Sequence, residues 1–102
     1  IMTIDIKSAN GHAVVTLNGE IDHHNAQEIR TQLDNYIITA QPTELTMDFE
    51  KITFMDSSGI GLIMGRSRLI RECGGNLEVR NPQPYIRRVL KLAGMERLVK
   101  IT

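Results

Sequence analysis

The chain has 102 residues, with 12 lysines and arginines against 12 aspartates and glutamates, three histidines, one cysteine and no tryptophan. That length fits one domain, and 41% hydrophobic with 24% charged residues describes an ordinary globular chain, neither disordered nor fibrous. A net charge of zero argues against a generally basic nucleic-acid binder, and the lone Cys73 excludes both an intramolecular disulfide and a multi-cysteine zinc site, which suits a reducing cytoplasm.

Met2, Ile4 and Ile6 alternate with Thr3, Asp5 and Lys7, the period of a half-buried strand. Ile1 is no initiator, so Met2 is the expected natural start, and no basic-then-apolar leader precedes this strand. Asn10-Gly11 is a strong hairpin signal, because both residues tolerate the positive φ of a type I′ turn. The chain returns over residues 12–17 and is expected to stop at Asn18-Gly19. From Asn25 the period turns helical, with Ala26, Ile29, Leu33, Tyr36 and Ile37 on one stripe. Asn25 is the expected N-cap and Glu28 its capping-box partner. Pro42 rules out continuation.

Leu45, Met47 and Phe49 alternate with Thr46 and Asp48 in a third strand. A second apolar spell, residues 52–55, leads into Asp56-Ser57-Ser58-Gly59. The next helix should turn Ile60, Ile63, Met64, Ser67 and Ile70 inward and Arg66, Arg68 and Arg71 outward. Gly74-Gly75 ends it with left-handed conformations. Leu77 and Val79 mark a short strand, and Asn81-Pro82 opens a third helix with Ile86, Val89, Leu90 and Ala93 on its stripe. Gly94 ends that helix, and Leu98, Val99 and Ile101 form a last short strand.

The order β-β-α-β-α-β-α-β, without linker or repeat, predicts one α/β domain over residues 1–102. After the hairpin, alternating strands and helices call for parallel pairing through right-handed crossovers. Single apolar stripes place the helices on one face of a mixed, mostly parallel sheet. No apolar run approaches the roughly 20 residues that span a bilayer. Residues 1–56 carry three basic and nine acidic side chains, a net of −6, and residues 57–102 carry nine basic and three acidic, a net of +6. A compact domain ordinarily mixes its halves in space, so no surface dipole is expected from this split.

Ser57 lies where a strand gives way to a helix. Aligned N–H groups there favour a negative group, although an ordinary N-cap serine is the simpler account, and only one of Ser57 and Ser58 can be the cap. Gly59-Ile60-Gly61-Leu-Ile-Met-Gly65 imitates a dinucleotide fingerprint, but its spacing is one residue too long and no second nucleotide-binding half follows. Glycines that let a helix sit close to a sheet explain it without a cofactor. Asp22-His23-His24 holds three potential metal ligands, but adjacent loop side chains diverge, so no metal is expected. A serine hydrolase is disfavoured, since Ser57 lacks the preceding glycine of G-x-S-x-G and no histidine follows it. Cys73 reads as an inert thiol. The residues alone therefore reach an α/β domain with an unusual strand-to-helix corner and no catalytic constellation.

Three stretches at that corner resemble the STAS family, specifically the bacterial anti-sigma factor antagonists: residues 17–24 (LNGEIDHH), residues 54–61 (FMDSSGIG) and Gly74-Gly75. The Asp-His-His loop points to the spore-former branch that opposes the anti-sigma F factor. One departure is that such proteins usually run past the last strand into a further helix, whereas this chain stops at Thr102, so that helix is absent or cut off.

The resemblance implies a cytoplasmic, monomeric switch, not an enzyme. The unmodified form binds an anti-sigma factor that is also a serine kinase, and sigma factor is released. Phosphorylation of the serine after the motif aspartate, here Ser57, ends binding, and a serine phosphatase resets it. Asp22, His23, His24, Asp56, Ser57, Ser58, Gly59 and Ile60 are the implied partner contacts, with no cofactor, nucleic acid or membrane. Other readings are a STAS module of another signalling system, or a small nucleotide-binding or hydrolytic enzyme centred on Ser57.

Overall fold

In the computed structural model, which describes residues 2–102, the chain runs β1 (Thr3–Ala9), β2 (His12–Ile21), α1 (Ala26–Ala40), β3 (Glu44–Met55), α2 (Ser57–Glu72), β4 (Asn76–Arg80), α3 (Pro84–Leu92), a 3-10 turn (Met95–Arg97) and β5 (Lys100–Ile101). The expectation about Ile1 falls outside the described residues. Asn10 and Gly11 take φ of 54° and 80°, as a type I′ turn requires, and pair Ala9 with His12 in an antiparallel hairpin. The remaining pairings are parallel, in the order β1-β2-β3-β4-β5.

Each new parallel strand is laid on the same side of the last. Crossovers of one hand that step in one direction put their helices on one face. Burial agrees. Register neighbours Val15, Met47 and Val79 are wholly buried and join one core with Ile29 and Leu33 of α1, Ile63 and Ile70 of α2, and Ile86 and Leu90 of α3. The alternate register row, Val14, Thr46, Glu78 and Lys100, lies on the opposite, polar face. There Thr46 bonds His12 at 3.0 Å and donates to Glu78 at 3.4 Å.

Several sequence expectations are corrected. β2 does not stop at Asn18-Gly19 but continues to Ile21. Two register shifts against β3 absorb the irregularity, so Glu20 still meets Phe54 and Ile21 meets Met55. The buried stripe of α2 is rotated: Leu62 and Arg66 are buried, whereas Met64 is 40% exposed. The cause is α1, which packs along that flank and claims a second side of the helix. In α3, Val89 is 41% exposed and Ala93 also faces solvent. That helix begins at Pro84, because Asn81, at φ 59°, terminates β4 instead.

The last strand is only Lys100–Ile101, since Leu98 caps the 3-10 turn and Val99 N bonds back to Met95 O. Of the pair Gly74-Gly75 only Gly74 is left-handed, at φ 85°. A side chain at Gly75 would meet the Pro42 carbonyl oxygen at 2.4 Å, so there the need is steric. The charge halves do not mix either. Strands laid down in sequence order keep the acidic first half beside, and not among, the basic second half.

Candidate functional site: the strand-to-helix corner

β2 and β3 are parallel neighbours, so their C-terminal ends lie together. Asp56 N donates to Ile21 O at 3.0 Å where the two strands leave the sheet. The loop entering α1 and the first turn of α2 are therefore adjacent, which brings Asp22, His23 and His24 beside Asp56, Ser57 and Ser58.

Asp56 is extended, at φ −96° and ψ −171°, and is the N-cap of α2. Its Oδ1 accepts from Ser58 N at 2.8 Å and also from the Ser58 hydroxyl. Those two bonds, the hydroxyl's foremost, hold the Asp56 carboxyl below its ordinary pKa. Desolvation opposes them to a lesser degree, and the His23 backbone and imidazole add smaller contributions in the lowering direction. Hydrogen bonds to a carboxylate favour its charged form. Neither serine is the cap, contrary to the sequence reading. Asp56 does that work, which engages Ser58 and leaves Ser57 as the first residue of the helix. Ser57 is exposed, and its hydroxyl has no hydrogen-bond partner among the described residues.

On the other loop, Asp22 Oδ1 accepts from His24 N at 2.9 Å and from Asn25 N at 3.1 Å. Asn25 was expected to cap α1 with its side chain, but makes no such bond. Instead its Oδ1 accepts from Asp22 N at 3.1 Å and its Nδ2 donates to Glu20 O. Two side chains thus staple the loop onto the end of β2. His23 and His24 are exposed, their rings 4.0 Å apart between centroids and tilted 36° to each other, turned to one another and not converging with Asp22 on a common point.

The structure separates the remaining site residues by role. Gly59 is buried, and a side chain there would strike Met55 Cγ at 2.3 Å, so it lets α2 begin against the sheet. Ile60 is half-buried and packs on the core. Phe54, 45% exposed two residues before Asp56, adds an apolar group that the sequence reading did not single out. Its outward direction depends on the register shifts in β3, which periodicity alone does not reveal. Tyr85 was also missed. Its hydroxyl accepts from Met55 N at 3.2 Å and donates to Thr53 O at 3.3 Å, and so ties α3 to the end of β3.

Between α1 and α2 the corner opens into a trough of about 490 Å³, bordered by His23, Arg30, Ser58, Gly61, Gly65 and Arg66. Arg66 bridges its walls: Nε lies 2.7 Å from Asp34 Oδ1, and Nη1 donates to Leu62 O at 3.3 Å.

A family model, the STAS domain, matches residues 3–102. The chain belongs to the STAS family. Within it, this STAS domain is 34% identical over 100 residues to the anti-sigma F factor antagonist of Paenibacillus polymyxa, covering 98% of this chain and 86% of the relative. It matches the solved structure of the anti-sigma factor antagonist SpoIIAA in its unphosphorylated form at a TM-score of 0.85 and 31% identity, covering 98% of this chain and 88% of that one. The Bacillus cell fate determinant SpoIIAA in the phosphorylated form matches at 0.77 and 31% identity, over 98% and 91% of the two chains. The mixed sheet and three helices of this STAS domain are the architecture expected from its sequence.

Proposed function

We propose that this chain is an anti-sigma factor antagonist whose unmodified form binds an anti-sigma factor, and that phosphorylation of Ser57 ends the binding. The observation that carries this reading is the state of the two serines. Ser57 offers a free, exposed hydroxyl at the helix start, whereas Ser58 is engaged by Asp56. A kinase approaching the corner meets one available nucleophile. The likeness to an antagonist solved with and without phosphate supports the same reading.

The partner is an anti-sigma factor with serine kinase activity, of the anti-sigma F type, and a serine phosphatase restores the free hydroxyl. The chain acts by binding and not as an enzyme, as a monomer in the cytoplasm. Asp22, His23 and His24 flank Ser57 on one side, and Phe54 and Ile60 add apolar contact. Phosphate brings about −1.5 to −2 charges to this surface. The phosphate sits at the positive end of the α2 dipole, which favours a negative group, so the fold persists. A partner docked on a neutral hydroxyl then faces a bulky anion beside the Asp56 carboxylate. Unpaired charge in a desolvated interface is expensive, and each 1.4 kcal/mol, in round terms, is tenfold in affinity.

Incubation with the anti-sigma factor and ATP, followed by intact mass and peptide mapping, tests the assignment. One phosphate on Ser57 is expected, with none on Ser57→Ala. Calorimetry should show Ser57→Ala binding like the parent and Ser57→Asp binding at least tenfold more weakly. Phosphate mapped to Ser58, or tight binding by Ser57→Asp, overturns the reading.

A further inference from the structure

The glycine series of α2 is only partly explained by the fold. Gly59 touches Met55 and Ile21, as a close helix–sheet approach demands, but a side-chain carbon added at Gly61 or Gly65 would meet nothing within 4 Å. Glycine is the poorest helix former after proline, and these two positions lie inside a 16-residue helix where alanine would be favoured. Nothing in the chain's own packing calls for glycine there. What the two glycines do is keep the α2 wall of the trough bare, so that a foreign backbone can come close.

The charges around the trough are also incomplete. Arg66 is buried to more than nine-tenths, its side chain 8% exposed, and its Nε pairs with Asp34 Oδ1 at 2.7 Å. Its other contact, Nη1 to Leu62 O, leaves Nη2 without a partner among the described residues. Arg30, on the facing wall, makes no ion pair among the described residues, and its charge opposes that of Arg66. Two guanidinium groups thus border the trough, and among the described residues Asp34 is the one carboxylate within 4.0 Å of either.

We infer that the trough between α1 and α2 receives a backbone segment of the anti-sigma factor, lying over Gly61 and Gly65, with a carboxylate that reaches Arg30 and Arg66. The inference rests on the function proposed above and adds a second contact area to the Ser57 corner, with which the trough is continuous through His23 and Ser58. A carboxylate there gains charge-assisted bonds to guanidinium and relieves the repulsion between the two arginines. The bare helix supplies the close approach that a side chain would block.

The test uses Gly61→Ala/Gly65→Ala and, separately, Arg30→Glu, in calorimetric titrations with the anti-sigma factor beside circular dichroism melts. The double alanine variant should melt above the parent, because alanine strengthens the helix and strikes nothing, and yet bind at least tenfold more weakly. Arg30→Glu should keep the parental melting temperature to within a few degrees and lose at least tenfold in affinity. Parental affinity in both variants, with Ser57→Asp still impaired, overturns the trough and leaves the Ser57 switch standing. If inorganic phosphate occupies the arginines and raises the melting temperature while partner affinity is indifferent to both variants, the site is one for small anions and the inference falls. No binding by the parent chain removes both readings together.

Discussion

Asp22 and Asp56 show how one residue type can carry different duties in two adjacent turns. Asp22 holds two backbone N–H groups of the loop entering α1, so its half-buried side chain is structural in addition to the partner contact proposed above. Asp22→Ala should therefore cost about 1 kcal/mol, the scale of a lost cap, and lower the thermal midpoint as well as partner affinity. Read from sequence, Asp22 is a partner contact alone, and these two bonds add a share in stability. Asp56 titrates below the ordinary carboxylate value of 3.8 because Ser58 donates to it twice. A depressed carboxyl stabilises the fold fully above its unfolded pKa, and the contribution disappears as pH falls through the folded value. Melting curves of Asp56→Asn and the parent should thus differ most near neutral pH and draw together below about pH 4. A constant gap across that range would mean that the cap does not depend on ionisation. Ser57→Ala, by contrast, removes a hydroxyl with no partner, and should change stability by no more than about 0.5 kcal/mol.

Helix α2 is placed by three contacts of unlike physics. Gly59 brings its first turn against Met55, the Arg66–Asp34 pair ties its middle to α1, and Gly75 lets the chain pass beneath the Pro42 carbonyl on its way to β4. Gly75→Ala puts a methyl carbon 2.4 Å from a backbone oxygen, which cannot swing aside as the end of a side chain can. A loss of about 1–3 kcal/mol, the usual range for overpacking, is expected in urea unfolding. An unchanged midpoint would show that the β3–β4 junction is free to shift. The same substitution at Gly61 or Gly65 should stabilise, so glycines within one run of sequence are predicted to respond with opposite signs.

The sequential order of the five strands turns a feature of the sequence into a feature of the molecule. Since no later strand inserts between earlier ones, the −6 and +6 halves lie side by side, and a chain with no net charge carries a lateral dipole. Salt contacts do little to cancel it. Among the described residues only Arg66–Asp34 and Arg80–Glu78 come within 4.0 Å. Such a field orients an approaching charged partner and is screened beyond about 8–10 Å at physiological ionic strength. The association rate with the anti-sigma factor, followed by stopped flow, should change steeply between 20 and 300 mM salt (roughly 20 to 5 Å of screening length) while dissociation changes little. A flat association rate would mean that the dipole faces away from the docking route.

Much was legible in the chain itself. Alternation in residues 2–7 and 45–49, the 3.6-residue stripe of α1 and the Asn10-Gly11 turn are local signals. They depend on neighbours in sequence, so the element order and the mostly parallel sheet followed from them. The corner of the site was legible too, because a strand running into Asp56-Ser57-Ser58-Gly59 must end where a helix begins. Other features were settled between segments distant in sequence. Which side of α2 is buried depended on α1, whose packing drew Leu62 and Arg66 inward and left Met64 in solvent. Which residue caps α2, and hence which serine is left free, depended on the extended backbone at Asp56, whose N–H bonds Ile21 O on the neighbouring strand. Whether Gly61 and Gly65 are needed for packing depended on what lies opposite them, and nothing does. Periodicity reports that a residue is to be covered or left bare, whereas only the assembled elements determine what covers it.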